Sequence, residues 1–484
     1  MKAYKTVIFI FSILAMLALV SWSFPSEGIS AGDMTFRFPS LTEVLSTGEE
    51  ESEEEPQLSP EELLQQRLDA IVAAKDNEYL DYILSSEARF HLPDRDLTYF
   101  DDFFIRLEHC SDRLVRIVHY GDSQLEEDRI TSYLRENVQA KFGGSGIGML
   151  PAVPKSGATL TVAHSIDPTD RIPYYLAYGP ATARADHNRY GPMAQIAHID
   201  TTTVINFRTR QPNVFPHCQT FQRVRVRMQG FAGSMSFVSG NNRVQLTCDT
   251  ARYSKEGTRV FEALLPSPVK SGSLIISGEM DVQSVQLDGT KGVVVDNVAM
   301  RGCSGTMFTS IERKSIESFF NDEDVALIIL QFGGNAMPYA KSEAAIEKFC
   351  KDTRRQIHFF HKIAADAKIL YIGPSDMATS IAGEMHTYPH LPAFVEALQT
   401  AVTQSGAAFW NMFEAMGGKD SMTRWVKTSP QLAGDDHIHF TQKGAQRISE
   451  ILNGTFDIYY NYYRFRNYDR YSMADSISAV CDSI

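Results

Sequence analysis

Three side chains, one of them far along the chain from the other two, have the makings of a nucleophile and its base. Ser123 stands in the stretch LVRIVHYGDSQLEEDRIT, residues 114–131. There Leu114, Val115, Ile117 and Val118 form a short β-prone run, and Leu125, Ile130, Leu134 and Val138 recur at near-helical intervals. Between them, Gly121-Asp122-Ser123 is a polar turn at a strand's carboxyl end, exposed at the rim of a sheet among the free N–H groups of a starting helix. Turns and helix caps use the same residues routinely, so the tripeptide alone decides nothing. A serine hydroxyl needs an adjacent base to become a nucleophile at neutral pH. His439 is that base in Gly434-Asp435-Asp436-His437-Ile438-His439. Asp436, three residues earlier, turns back onto the second ring nitrogen, fixing the tautomer and stabilising the imidazolium. The oxyanion of an acyl-transfer intermediate then needs donors: the Ser123 N–H, a glycine N–H and an Asn amide. Losing one such donor typically costs about 10²- to 10³-fold.

The elements that must position these residues read as an α/β domain. Val325–Leu330 is a continuous apolar run, the mark of a parallel strand buried on both faces, and it ends in Gln331-Phe332-Gly333-Gly334-Asn335. Ile369–Ile372 ends in Gly373-Pro374-Ser375-Asp376, and Ala407–Trp410 is the next strand, with helices predicted over about 341–365 and 391–402. Polar residues thus gather at the carboxyl ends of buried strands, where open α/β sheets place their sites. A helix from Gln442 to about Asn453, capped by Thr441, follows the histidine. His119 and His437 read as supporting residues, and Asp122 as the organiser of its turn. The glycines of 143–148 suggest a phosphate loop, but they follow a helix, lack GK[ST], and break GxGxxG at Met149; a tight turn is the better account.

From about Pro151 to Asp296 the pattern changes to short β-prone runs: 201–208, 223–228, 234–238, 244–247, 258–264, 273–276 and 282–287. Seven such runs suggest a β-sandwich inserted into the α/β domain. Such an insert binds carbohydrate or is purely structural, and the sequence leaves both open. Tyr174, Tyr175, Tyr178 and Tyr190 are its candidate sugar-stacking residues.

Length and charge bound the rest. The 484 residues, 43% hydrophobic and 22% charged, suffice for two or three cores. The net charge is −13, from 46 basic and 59 acidic residues, without a basic run, which argues against nucleic acid as a partner. Lys2 and Lys5 precede an apolar run from Val7 to Val20 and small residues at Ser21 and Ser23, so an export signal is expected, cleaved or kept as an anchor. The acidic Gly48–Glu62 stretch reads as a flexible, solvated spacer. Six cysteines show no zinc-ligand spacing, and Cys218 with Cys248 is the favoured pair if a disulfide forms.

Taken together, Gly121-Asp122-Ser123, the glycine of Arg301-Gly302-Cys303-Ser304-Gly305, Gly333-Gly334-Asn335 and Asp436-x-x-His439 stand in the order of the blocks of SGNH (GDSL-type) hydrolases, which this chain resembles. The resemblance implies a triad of Ser123, Asp436 and His439, and an oxyanion hole from Ser123, Gly302 and Asn335, with Gly302 chosen over Gly305. Ala336 replaces the Asp that often follows the third-block Asn. The implied fold is α/β: a parallel sheet flanked by helices, flavodoxin-like and three-layered, with the β-sandwich inserted. The expected divisions are a signal peptide or anchor over 1–24, an acidic linker over 25–62, hydrolase parts over 63–150 and 297–455, the insert over 151–296 and a Tyr-rich tail over 456–484. The stretch from His119 to Gln124, the insert and the export signal further resemble bacterial peptidoglycan O-acetylesterases, which remove acetyl groups from the 6-hydroxyl of N-acetylmuramic acid. This implies an exported, periplasmic or envelope-associated esterase acting on an acetylated polysaccharide, peptidoglycan first, without metal, cofactor or protein partner. A polysaccharide O-acetyltransferase using the same triad and a non-catalytic wall-binding protein are the alternatives.

Overall fold

The computed structural model describes residues 3–31, 34–46, 59–154, 158–210, 215–251 and 257–469. The apolar runs become buried parallel strands. Leu114–Gly121, Gly292–Ala299, Asp324–Gln331, Lys368–Ile372 and Ala408–Trp410 lie in the order 2-1-3-4-5, counted along the chain, and Phe90–His91 pairs antiparallel at the far edge. Alternate side chains of the central strands point to opposite faces. Ile117 and Leu327 meet Phe103, Leu134 and Phe456 of the helices Asp101–Glu108, Thr131–Phe142 and Gln442–Arg464. Val118 and Ile328 share a core with Phe319, Phe360 and Leu398 of the helices Arg313–Asp322, Glu343–Ile363 and Leu391–Thr403. In a sheet of this order the crevice opens beyond the carboxyl ends of the first and third strands, where the connections diverge.

Most of the stretch between the first two parallel strands forms a ten-stranded antiparallel sheet. The short runs at 223–228 and 234–238 are halves of one strand, Phe221–Ser239, and those at 273–276 and 282–287 are halves of Ser271–Asp288, its partner. Their register slips near Met228 and Ser234, and Gly230 and Gly278 take φ of 106° and 144° there. These glycines make bulges that bend the ribbon without ending it. Val224 and Val226 from one half therefore share a core with Met235 and Phe237 from the other. The expected sandwich is thus one sheet folded over its own core. Gly146–Leu150 pairs with Val285–Asp288 in this sheet, whereas Gly292–Ala299 belongs to the parallel one. The chain crosses between sheets near 143–146 and 288–292, a few residues before the divisions expected at 151 and 296.

The two sheets meet over a sealed set of charges. Arg116 donates to Asp296 at 2.6 Å, Asp288 at 2.5 Å and Glu323 at 3.3 Å; Arg225 also pairs with Glu323, and Arg227 with Asp322 at 2.8 Å. Burial pushes the Glu323 carboxyl up, but Arg116, Arg225 and Arg227 outweigh it and hold it at about 2. For Asp296 burial prevails over Arg116, and its carboxyl sits at about 6.

Three expectations change elsewhere. The last helix runs on past Gly454 to Arg464, so Tyr459, Tyr460 and Tyr463 belong to it; Tyr459 donates to the Phe90 carbonyl and the other two to Glu108. Residues 470–484 of the expected tail lie outside the described residues. Cys218 and Cys248 are both free, the first buried with its thiol on the Phe215 carbonyl and the second on a short strand paired with Phe261. The amino-terminal unit, Met1–Ala74, holds an apolar helix, Ala3–Ser23, and then, within the stretch expected as an acidic flexible linker, a small hairpin and the helix Leu41–Ser46. The helix Pro60–Ser85 runs across the division into the second unit, Lys75–Ile484. The acidic run Glu49–Glu55 lies outside the described residues.

Candidate active site

The first parallel strand ends at Gly121, where a Cβ would fall 2.7 Å from Leu125 Cδ1 and 3.1 Å from the Gln331 carbonyl oxygen. A side chain here would have to displace Leu125 and crowd the neighbouring strand, which glycine avoids. Asp122 caps the 3-10 turn Ser123–Asp128 by accepting the Gln124 N–H at 3.0 Å. Below it, buried His119 lies between Gln331, at 3.0 Å, and Thr131, at 3.1 Å. Burial pushes the imidazole down to about 3, so it is neutral, as a support for the turn requires.

Ser123 Oγ lies 2.8 Å from His439 Nε2, across 316 residues of chain. His439 Nδ1 lies 2.7 Å from Asp436 Oδ2, while Asp436 Oδ1 accepts the N–H groups of Ile438 and His439, each at 3.0 Å. Burial pushes the Asp436 carboxyl up, but the hydrogen bonds from His439 and Ile438 prevail and hold it below the usual range. Nδ1 facing a carboxylate leaves Nε2 free to take the serine proton. The loop closes through the Gly434 N–H on the His439 carbonyl, at 2.8 Å, and Thr441 caps the following helix by accepting the Gly444 N–H.

In the sequence Gln124 figures only as part of the stretch from His119, with no role of its own. Its Nε2 donates to the Ile438 carbonyl at 2.8 Å and its Oε1 accepts the Phe440 N–H at 3.3 Å, tying the serine turn to the histidine loop. Its position beside Ser123 was the available signal; nothing in residue type points to a partner more than three hundred residues away.

Asn335 Nδ2 donates to the Cys303 carbonyl at 3.1 Å and to Asp122 Oδ2 at 3.3 Å, so the first three sequence blocks meet at one amide. Gly302 and Gly305 both have positive φ, 76° and 78°. A Cβ on Gly305 would strike the Phe332 ring at 2.4 Å, whereas Gly302 has open space there and borders the cavity. Gly305 is therefore a packing glycine. The cavity, about 700 Å³, is lined by Ser123, His439, Gly302 and Asn335, and also by Arg129 and Tyr339. Of the four tyrosines considered for stacking, Tyr190 is buried with its hydroxyl on the Ala185 N–H, and Tyr175 and Tyr178 pack against the core of the parallel-sheet domain; Tyr174 alone is open, at 49% exposure.

No family model and no curated protein matches this chain. Its fold is a mixed α/β domain with an extra β domain. Among solved structures it resembles a peptidoglycan O-acetylesterase, at 19% identity and a TM-score of 0.60 over 74% of this chain and 96% of that one. Slighter likenesses are to a GDSL-like lipase from Parabacteroides merdae (13% identity, TM-score 0.28, 34% of this chain and 74% of that one) and to a catalytic mutant of an acetylxylan esterase from Geobacillus stearothermophilus (12%, 0.26, 35% and 73%).

Proposed function

We propose that this chain is an exported serine esterase that removes O-acetyl groups from an acetylated polysaccharide, with peptidoglycan as its first substrate. The observation that carries the reading is the relay from Ser123 Oγ to His439 Nε2, 2.8 Å, and from His439 Nδ1 to Asp436, 2.7 Å, opening into a large cavity. Ser123 Oγ attacks the acetyl carbonyl while His439 takes its proton; His439 then returns that proton to the departing sugar oxygen, leaving acetyl on Ser123. Water, deprotonated by the same imidazole, releases acetate. The backbone N–H groups of Ser123 and Gly302 and the amide of Asn335 receive the oxyanion, which competes with Asp122 for the longer of the two Asn335 hydrogen bonds. His439 and Asp436 are 38% and 49% exposed, so water reaches the relay, which favours hydrolysis over acetyl transfer to a second sugar.

The same reading assigns the framework. The two helix groups flank the parallel sheet as a flavodoxin-like three-layer domain, interrupted by the antiparallel insert. The helix Ala3–Ser23, with a mean hydropathy of 2.2 over Tyr4–Ser23, is the export signal or an anchor. The acidic stretch before the catalytic domain is its tether in the periplasm or envelope.

The test is acetate release from O-acetylated peptidoglycan, acetylated xylan and p-nitrophenyl acetate, beside Ser123→Ala. Release from peptidoglycan should fall at least about 10³-fold in the variant, with no change in melting temperature. A folded wild-type chain that releases no acetate from any of the three ends the hydrolase reading. Acetyl appearing on an added sugar acceptor in place of free acetate makes it a transferase.

A further inference from the structure

A second cavity, about 410 Å³, lies where the antiparallel sheet meets the parallel-sheet domain. Tyr174 and Gln195 line it from the insert, and Asn297 and Ala299 from the second parallel strand. It shares a wall with the cavity above Ser123. That wall is Glu126 and Arg301, which border both spaces and form a two-pronged ion pair, with Arg301 Nε 2.6 Å from Glu126 Oε1.

The wall is held in place at some cost. Glu127 and Asp128, directly after Glu126, take φ of 59° and 61°, a region that side chains other than glycine seldom adopt. The kink is pinned from the insert, where the Leu160 N–H donates to the Glu127 carbonyl and the Thr161 hydroxyl to Asp128 at 2.7 Å, and from the helix side by Arg135 on Asp128 at 2.6 Å. The insert thus fixes the segment that separates the two cavities.

We propose that this second cavity binds the sugar unit next to the acetylated one, so that the enzyme recognises a glycan chain of at least two units. The inference rests on the esterase reading above and extends it. An open tyrosine ring offers a flat apolar surface to the C–H face of a pyranose. Gln195 is largely buried and its carboxamide has no hydrogen-bond partner among the described residues, so it offers both a donor and an acceptor to sugar hydroxyls. The carboxylate and guanidinium of the shared wall stand between the two spaces. A neutral, hydroxyl-rich ligand fits this set better than an anion, because Arg301, the one cation among the described residues of the lining, is already paired.

Two measurements decide it. In the first, kcat and KM of Tyr174→Ala and Gln195→Ala are compared on O-acetylated peptidoglycan and on p-nitrophenyl acetate, which fills only the first cavity. Each variant should raise KM for the polymer about tenfold and leave p-nitrophenyl acetate turnover unchanged. Unchanged polymer kinetics, or equal losses on both substrates, overturns the proposal. In the second, sedimentation with insoluble peptidoglycan compares full-length Ser123→Ala with Ser123→Ala/Tyr174→Ala. Binding should weaken about tenfold in the double variant, and equal binding overturns the proposal even if no acetate is ever released. Wild-type acetate release with unaltered Tyr174→Ala kinetics removes the second site and leaves the esterase reading standing.

Discussion

One strand serves two polar clusters built to opposite specifications. Leu114–Gly121 carries Arg116 at its start and delivers Ser123 beyond its end. Arg116 and its partners Asp288 and Asp296 are at most 1% exposed, each guanidinium edge is matched by a carboxylate, and the set joins two sheets. His439 and Asp436, at the other end, are more than a third exposed, and the serine hydroxyl meets the imidazole. Buried charges in a low-dielectric interior must be paired and still, because moving a proton among them is costly. A proton relay needs the reverse: groups within hydrogen-bond distance, open to substrate, and free to change charge. On the esterase reading, the polar residues proposed for chemistry are therefore separable from those doing structure by exposure rather than by residue type.

The largest effect that would break this separation is on stability. Arg116→Met leaves Asp288, Asp296 and Glu323 without their shared cation and should cost about 3–5 kcal/mol, read as a lower denaturation midpoint. Turnover of p-nitrophenyl acetate per folded molecule should not change. A variant of normal stability with slowed turnover would mean that the buried cluster sets the serine's geometry after all. Next in size is Asn335→Ala. If its amide receives the oxyanion, kcat falls about 10²- to 10³-fold at nearly constant KM. If the amide only braces Asp122 against the Cys303 carbonyl, the loss shows in the melting temperature and kcat holds.

The exposed cluster was the more legible of the two. Ser123, Asp436 and His439 stood out because each chemical role admits few residue types and the blocks kept a fixed order, and the geometry then placed them within hydrogen-bond distance. The parallel strands were legible for a related reason: a strand buried on both faces has no polar alternation, so Val325–Leu330 reads unambiguously. The buried cluster was invisible, because Arg116, Asp288 and Glu323 are ordinary surface residue types until topology brings them together. The two long strands Phe221–Ser239 and Ser271–Asp288 were each read as two short ones, because a glycine that bends a strand, as Gly230 and Gly278 do, and one that ends it look alike in sequence. Gly454 misled similarly, since it sits inside a helix whose tyrosines are held by Phe90 and Glu108, contacts too distant in sequence to anticipate.

Asp122 belongs to neither cluster cleanly, and its titration gives the smallest and finest test. It is buried like Asp296 but sits against the serine turn, accepting the Gln124 N–H and the Asn335 amide. Burial raises its carboxyl from 3.8 to about 6, with the Gln124 N–H and His439 working the other way. Between those two values the folded chain holds a proton that the unfolded chain has released, so this group stabilises the fold fully below about 3.8 and ceases to do so as pH rises through about 6. Asp122→Asn cannot titrate. The stability of the wild type relative to this variant should therefore rise as pH falls from 7 to 4, whatever constant offset the lost acceptor introduces. A flat difference across that window would show that the Asp122 charge is compensated in place, as Glu323 is by its three arginines, and would move Asp122 to the structural side of the divide.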